Sequence, residues 1–133
     1  MKRISIIAGA VALIAAAVLV GCNLFSAGLS VIGPSGNIAY NGTYHWGAAT
    51  GTQTFTIKNT GSNTLTLTGA PSYVQVSPGT SGFSVGQQAG SSSLAVNATT
   101  TFTINGTGTM STATVSIANN SGQNPFTFTI TSP

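Results

Sequence analysis

Apolar and hydroxyl side chains alternate along most of the chain beyond residue 37, and this period of two constrains the fold more than any other feature. Successive side chains of a β-strand point to opposite faces, so alternation predicts strands with one packed face and one face in water. Five segments show it: TFTI at 54–57, TLTLT at 64–68, TFTI at 101–104, TATVSI at 112–117 and FTFTIT at 126–131.

Turn-forming residues separate these segments, at 59–62, 69–71, 77–79, 105–106 and 119–122. No segment beyond residue 22 has a helical period. Short strands with regular turns predict an all-β fold, an antiparallel immunoglobulin-like β-sandwich of about seven strands over residues 37–133. Its expected core consists of Phe55, Ile57, Leu65, Leu67, Phe83, Val85, Phe102, Ile104, Val115, Ile117, Phe126, Phe128 and Ile130.

The N-terminus has the pattern of an export signal. Lys2 and Arg3 precede an uncharged run at 4–20, which ends in Leu19-Val20-Gly21-Cys22. A signal peptide needs a positive start, an apolar stretch and a small residue before the cut. The last four residues resemble the bacterial lipobox, which implies cleavage between Gly21 and Cys22 and a lipid on the Cys22 thiol.

This interpretation divides the chain into a signal peptide at 1–21, a lipidated cysteine with a tether at 22–36, and the sandwich domain at 37–133. Two alternatives stay open: an uncleaved membrane-spanning anchor, and a buried cysteine in an ordinary exported domain. Two or three acyl chains, at about 0.8 kcal/mol per buried methylene, would hold the protein stably at a membrane of the cell envelope. By analogy with enteric sorting, Asn23 favours the outer membrane over the inner one.

The charge count excludes several classes of function. The chain has three Lys or Arg residues, no Asp or Glu, and one His. Beyond Cys22 only Lys58 carries a permanent charge, too little for a nucleic-acid partner. Carboxylate acid–base catalysis, Ser-His-Asp triads and carboxylate or Cys/His metal sites lack their residues. We therefore expect no catalytic residues, no metal and no cofactor, and a protein that is not an enzyme.

Three aromatic residues, Tyr40, Tyr44 and Trp46, share one strand parity and could stack on a flat ligand such as a sugar. The interpretation we favour is that they fill the sandwich, because large aromatic side chains dominate core burial. His45 points to the opposite face from Tyr44 and Trp46, and a lone histidine there is expected to be an exposed strand residue.

Six segments together resemble one family: YHWG at 44–47, TQTFTIKNTG at 52–61, LTL at 65–67, TTFTI at 100–104, TATVSI at 112–117 and NPFTFTI at 124–130. In this order they are similar to the Hydin-like immunoglobulin-type domain, which in bacteria is often labelled choice-of-anchor D. The match covers roughly residues 36–131. It departs at Gly106, where the family usually has Pro. The resemblance implies a scaffold and interaction module without a shared catalytic site.

The sequence thus predicts a non-enzymatic surface lipoprotein whose sandwich serves as a binding or structural module, with a membrane and an unknown protein or glycan as partners. One alternative is a coat or assembly component that associates with copies of itself, because near-zero charge removes the repulsion between exposed strand edges. The other is a carbohydrate-binding module that uses Tyr40, Tyr44 and Trp46.

Overall fold

The computed structural model describes residues 27–47, 50–79, 81–108 and 111–133. These residues form strands and turns, and no helix among them is long and apolar enough to cross a membrane. The strands in this part of the chain are β1 (Leu29–Gly33), β2 (Gly36–Ile38), β3 (Thr43–His45), β4 (Gly51–Asn59), β5 (Leu65–Thr66), β6 (Val74–Ser77), β7 (Phe83–Gln87), β8 (Ser93–Leu94), β9 (Thr99–Gly106), β10 (Ser111–Ile117) and β11 (Phe126–Ser132).

Two main sheets face each other across one core. The first has the order β2-β1-β4-β9-β7 and is antiparallel throughout, and the second has the order β3-β11-β10-β6, with β3 parallel to β11. A two-stranded ladder of β5 and β8 closes one end. The orders β1-β4-β9-β7 and β11-β10-β6 reproduce the ABED and GFC sheets of an immunoglobulin fold. The predicted all-β sandwich is confirmed.

The alternation of the sequence builds the core directly. Phe55 and Phe102 lie opposite each other on β4 and β9 with their rings stacked, 5.3 Å between centroids, and Phe128 of the second sheet lies 5.9 Å from Phe55. Every predicted core residue is buried except Val85, which is half-buried. Val85 lies at a register shift in β7, an edge strand, and the shift turns it partly outward.

The first strand corrects the predicted domain boundary. Residues 22–36 were expected to form a tether, but Leu29–Gly33 is β1, which pairs with β4 on one side and β2 on the other. Val31 is fully buried opposite Ile57. The residues Pro34 and Ser35 form the tight turn between β1 and β2, so the sequence GPSG is a hairpin turn and not the end of a linker.

Two shorter segments also differ from the sequence prediction. The predicted turn at 105–106 lies within β9, because Gly106 pairs with Gly51 on one side and Phe83 on the other. Of the alternating segment 64–68, only two residues form β5, and Leu67 makes an isolated bridge to Asn119, two residues after the end of β10.

Candidate functional site

The chain enters the sandwich at one end, which the positions of its first described residues define. Leu29 pairs with Asn59, the last residue of β4, and the Thr60 amide donates to the Gly28 carbonyl at 3.1 Å. We name this end the proximal end; it comprises residues 27–28, 59–64, 95–98 and 118–125. The distal end lies at the other tips of the long strands, at 34–35, 78–79, 81–82 and 106–108.

A buried asparagine holds the proximal end together. The Asn59 side chain is fully buried, and its Nδ2 donates to the carbonyls of Asn63, Leu94 and Ala95 at 2.8, 2.9 and 3.2 Å. Its Oδ1 accepts from the Gly61 amide at 2.9 Å. One amide therefore fixes the turn after β4 against β8 and the loop that follows it, and it satisfies the carbonyl of the buried residue Leu94.

Close packing at Gly28 fixes the path of the incoming chain. A Cβ on Gly28 would lie 2.8 Å from both the Gly61 amide nitrogen and Thr60 Oγ1, so any larger residue would displace this segment. Ala27 is buried as well. The chain is thus held from Ala27 onward, which leaves residues 23–26 between it and Cys22. Gly21 and Cys22, the predicted cleavage and lipidation residues, lie outside the described residues.

The second sheet contributes a similar turn to the proximal end. Asn119 Nδ2 donates to the carbonyls of Ile117 and Gln123 at 2.9 and 3.0 Å, and its Oδ1 accepts from the Ser121 amide at 2.7 Å. The Thr66 amide of β5 donates to Asn120 Oδ1 at 2.8 Å. These bonds connect β5 to the end of the second sheet, and no charged side chain takes part in them.

Among the residues that the structure describes, two large hydrophobic side chains are exposed on this half of the molecule. Val96 is 48% exposed, in a turn closed by the Ala98 amide donating to the Ala95 carbonyl at 2.9 Å. Tyr40 is 42% exposed, with its ring 5.6 Å from that of Phe126, the first residue of β11. The sequence alone did not indicate that Val96 is exposed, because valine is a residue type that is usually found in the core.

The distal end carries a pocket of about 310 Å³. Trp46 packs directly beneath it, since a Cβ on Gly106 would lie 2.7 Å from the indole ring. Thr52 Oγ1 donates to Asn105 Oδ1 at 2.6 Å at its side. Its lining has no charged side chain and consists of Gly79, Gly82, Phe83, Ser84, Asn105, Gly106 and Thr107.

The three aromatic residues proposed as a sugar platform do not form one surface. Tyr44 and Trp46 are only 5% and 4% exposed, and the Tyr44 hydroxyl donates to Gln53 Oε1 at 2.6 Å inside the sandwich. Tyr40 alone is exposed. Their burial agrees with the core interpretation of Tyr44 and Trp46. His45 is exposed, as interpreted, with Nδ1 3.0 Å from Thr131 Oγ1.

The strand edges differ in how they are covered. On β6, the Gln88 side chain takes the place of a neighbouring strand: its Oε1 accepts from the Val74 amide at 2.9 Å and its Nε2 donates to the Val74 carbonyl at 2.8 Å. Between the edges of β2 and β3 lies an open groove of about 180 Å³. Its lining is Ser35, Gly36, Asn37, Ile38, Thr43, Tyr44 and His45.

Comparison with known proteins yields a likeness of fold. No family model and no curated protein matches the chain, so the resemblance to Hydin-like domains stays a prediction. The chain is similar to a solved structure of the VesB protease of Vibrio cholerae, with a TM-score of 0.51 and 17% identity over 71% of this chain. It spans 32% of that protein's length.

This neighbour contradicts one prediction. The chain was expected not to be an enzyme, yet a solved protein that it resembles in fold over 32% of that protein's length is a protease. The expectation is therefore withdrawn. At 17% identity the likeness shows the shared sandwich alone, and no residue role passes from that protein to this chain.

Proposed function

We propose that this chain is a lipid-anchored protein of the bacterial cell envelope, held by acyl chains on Cys22 and displaying the β-sandwich as a binding or packing module. The observation that supports this most is the position of the chain's one cysteine, directly after Leu19-Val20-Gly21 and an uncharged run. The fold adds a second argument: the first strand among the described residues begins at Leu29, only seven residues after the predicted attachment point. Asn23 favours the outer membrane.

The display surface in this proposal is the distal end. β9 spans eight residues, about 26 Å at 3.3 Å per residue, between the turn that receives the incoming chain and the distal pocket. A partner at the distal pocket would meet hydroxyl, amide and main-chain groups without any charge. Such a surface suits an uncharged glycan or a neutral protein surface better than an ionic ligand.

Replacing the cysteine tests the anchor. We expect the Cys22→Ser chain to be found in the soluble fraction or to keep its signal peptide, whereas the parent chain fractionates with membranes at its mature size. Ser26→Ala, four residues further on, is the matched control and should behave as the parent chain. A Cys22→Ser protein of mature size in the membrane fraction would contradict the proposal.

Self-association is the second candidate, and the open groove between β2 and β3 favours it. Charged side chains on exposed strand edges normally keep such edges apart, and neither β2 nor β3 has a Lys, Arg, Asp or Glu. We expect the soluble chain beginning at residue 23 to form reversible oligomers as its concentration rises, measured by light scattering. Thr43→Lys at the β3 edge should shift it toward monomer, while Thr112→Lys on the outer face of β10 should not. A parent chain that stays monomeric would contradict this candidate.

A further inference from the structure

We propose that the proximal end of the sandwich lies on the membrane that holds the lipid anchor, with Val96 and Tyr40 in the bilayer interface. The inference rests on the proposed lipidation of Cys22 and goes beyond it. An anchor alone would leave the domain free to tumble, whereas a seated proximal end gives the domain one orientation, with the distal pocket facing away from the lipid.

The short distance along the sequence between Cys22 and the first described residue is the first argument. Cys22 and Ala27 are five residues apart, which spans at most about 17 Å when fully extended. Because Ala27 and Gly28 are packed against the turn after β4, no further length is released from the domain. The proximal end therefore stays within about 17 Å of the lipidated cysteine at the membrane surface.

The two exposed apolar side chains are the second argument. Val96 and Tyr40 are the large hydrophobic residues exposed by more than a third in the described part of the chain, and both lie on the half that contains the proximal end. Several contacts show this placement. Asn59 bonds to the carbonyl of Ala95 beside Val96, and Tyr40 packs on the first residue of β11. Tyrosine favours the membrane–water interface, where its ring is buried and its hydroxyl stays wet.

The preformed shape of the Val96 turn is the third argument. The Asn97 amide donates to the Asn59 carbonyl at 3.1 Å, and the Asn59 amide donates to the Ala98 carbonyl at 3.0 Å. Burying Val96 in lipid therefore costs little conformational entropy of the main chain, because hydrogen bonds already fix this turn. A weak contact is sufficient, because the lipid anchor makes it intramolecular and its effective concentration high.

The charge pattern permits this seating. With no Asp or Glu anywhere in the chain, no acidic side chain opposes the negative headgroups of a bacterial membrane. Lys58, the one charged side chain among the described residues, precedes Asn59 and lies toward the same end.

Site-specific quenching in vesicles tests the proposal. The lipid occupies the chain's own cysteine, so V96C, Y40C and S84C each give the full lipidated protein a single free thiol for a fluorescent label. Ser84 is exposed and lines the distal pocket, which makes S84C the matched control. Each protein is reconstituted into phosphatidylcholine vesicles with a nitroxide-bearing lipid, and emission of the buried Trp46 verifies that each variant is folded.

We expect the nitroxide lipid to quench the V96C and Y40C labels several-fold more than the S84C label, and aqueous iodide to show the opposite order. Equal quenching at the three positions would overturn the inference. The inference would also be overturned if, in the absence of lipid, a higher protein concentration protected the V96C label from iodide. That result would mean that the proximal end contacts a second copy of the chain. Intact mass separates the two claims: a protein without lipid on Cys22 refutes the proposed function as well, whereas a lipidated protein without selective quenching refutes this inference alone.

Discussion

Replacing Asn59 with alanine is the strongest single test of how the sandwich is held together. The side-chain amide of Asn59 donates its two hydrogens to three main-chain carbonyls and accepts one main-chain N–H on its oxygen, at 2.8–3.2 Å. Alanine removes all of these bonds. It leaves the carbonyl of the buried residue Leu94 without this partner, whereas the Asn63, Ala95 and Gly61 groups are only partly shielded from water.

The expected loss follows from that count. Each lost bond costs about 1 kcal/mol, and each main-chain group that stays dry and unpaired raises the cost toward 1–3 kcal/mol. We expect Asn59→Ala to lower the free energy of unfolding by about 3–5 kcal/mol, a large part of the roughly 5–15 kcal/mol typical of a domain. In urea this moves the unfolding midpoint down by roughly 2 M.

Urea unfolding of the soluble chain, followed by Trp46 fluorescence, measures the change. Asn37→Ala is the matched control, because Asn37 is exposed on β2 and its replacement should stay within about 0.5 kcal/mol. A loss below about 1 kcal/mol for Asn59→Ala would refute the reasoning, since it would mean that water reaches the freed groups.

Three further results are expected from the same unfolding assay. Gly106→Ala should cost about 1–3 kcal/mol, because its methyl group would meet the tryptophan ring at 2.7 Å, whereas Gly79→Ala, with open space around it, should be neutral or stabilising; equal effects would contradict this. Gln88→Ala should cost about 1–2 kcal/mol by exposing the β6 edge, and its exposed neighbour Gln87→Ala less than about 0.5 kcal/mol; a neutral Gln88 variant would show that the edge needs no cover. Because Lys58 is the one charged side chain after Cys22, added NaCl up to about 0.5 M should change the free energy of unfolding by less than about 0.5 kcal/mol, and a larger screening effect would contradict the charge argument.

The fold was predictable because one signal runs through the whole domain. The period of two assigns the inward face of β4, β9, β10 and β11, and their inward residues are buried as expected. The same signal is weak in β1, where Leu29 and Val31 are followed at once by a Pro-containing turn. For this reason the sequence of β1, a five-residue strand with a neighbour on each side, was interpreted as the end of a linker.

The candidate site was less predictable, for a physical reason. The role of Asn59 depends on partners at Leu94 and Ala95, which lie more than thirty residues away in sequence. The exposure of Val96 depends on the turn that those same bonds fix. Tyr40 was grouped with Tyr44 and Trp46 because all three have even residue numbers, as side chains on one face of a continuous strand would. The chain changes sheets between β2 and β3, so this alternation does not continue from Tyr40 to Tyr44.

Mass spectrometry of the native product, extracted from membranes, tests the proposed anchor. We expect a mature chain that begins at Cys22, with its N-terminal peptide heavier by a diacylglyceryl group and with residues 23–26 unmodified. A chain that retains residues 1–21, or a mature chain with a free thiol at Cys22, would contradict it.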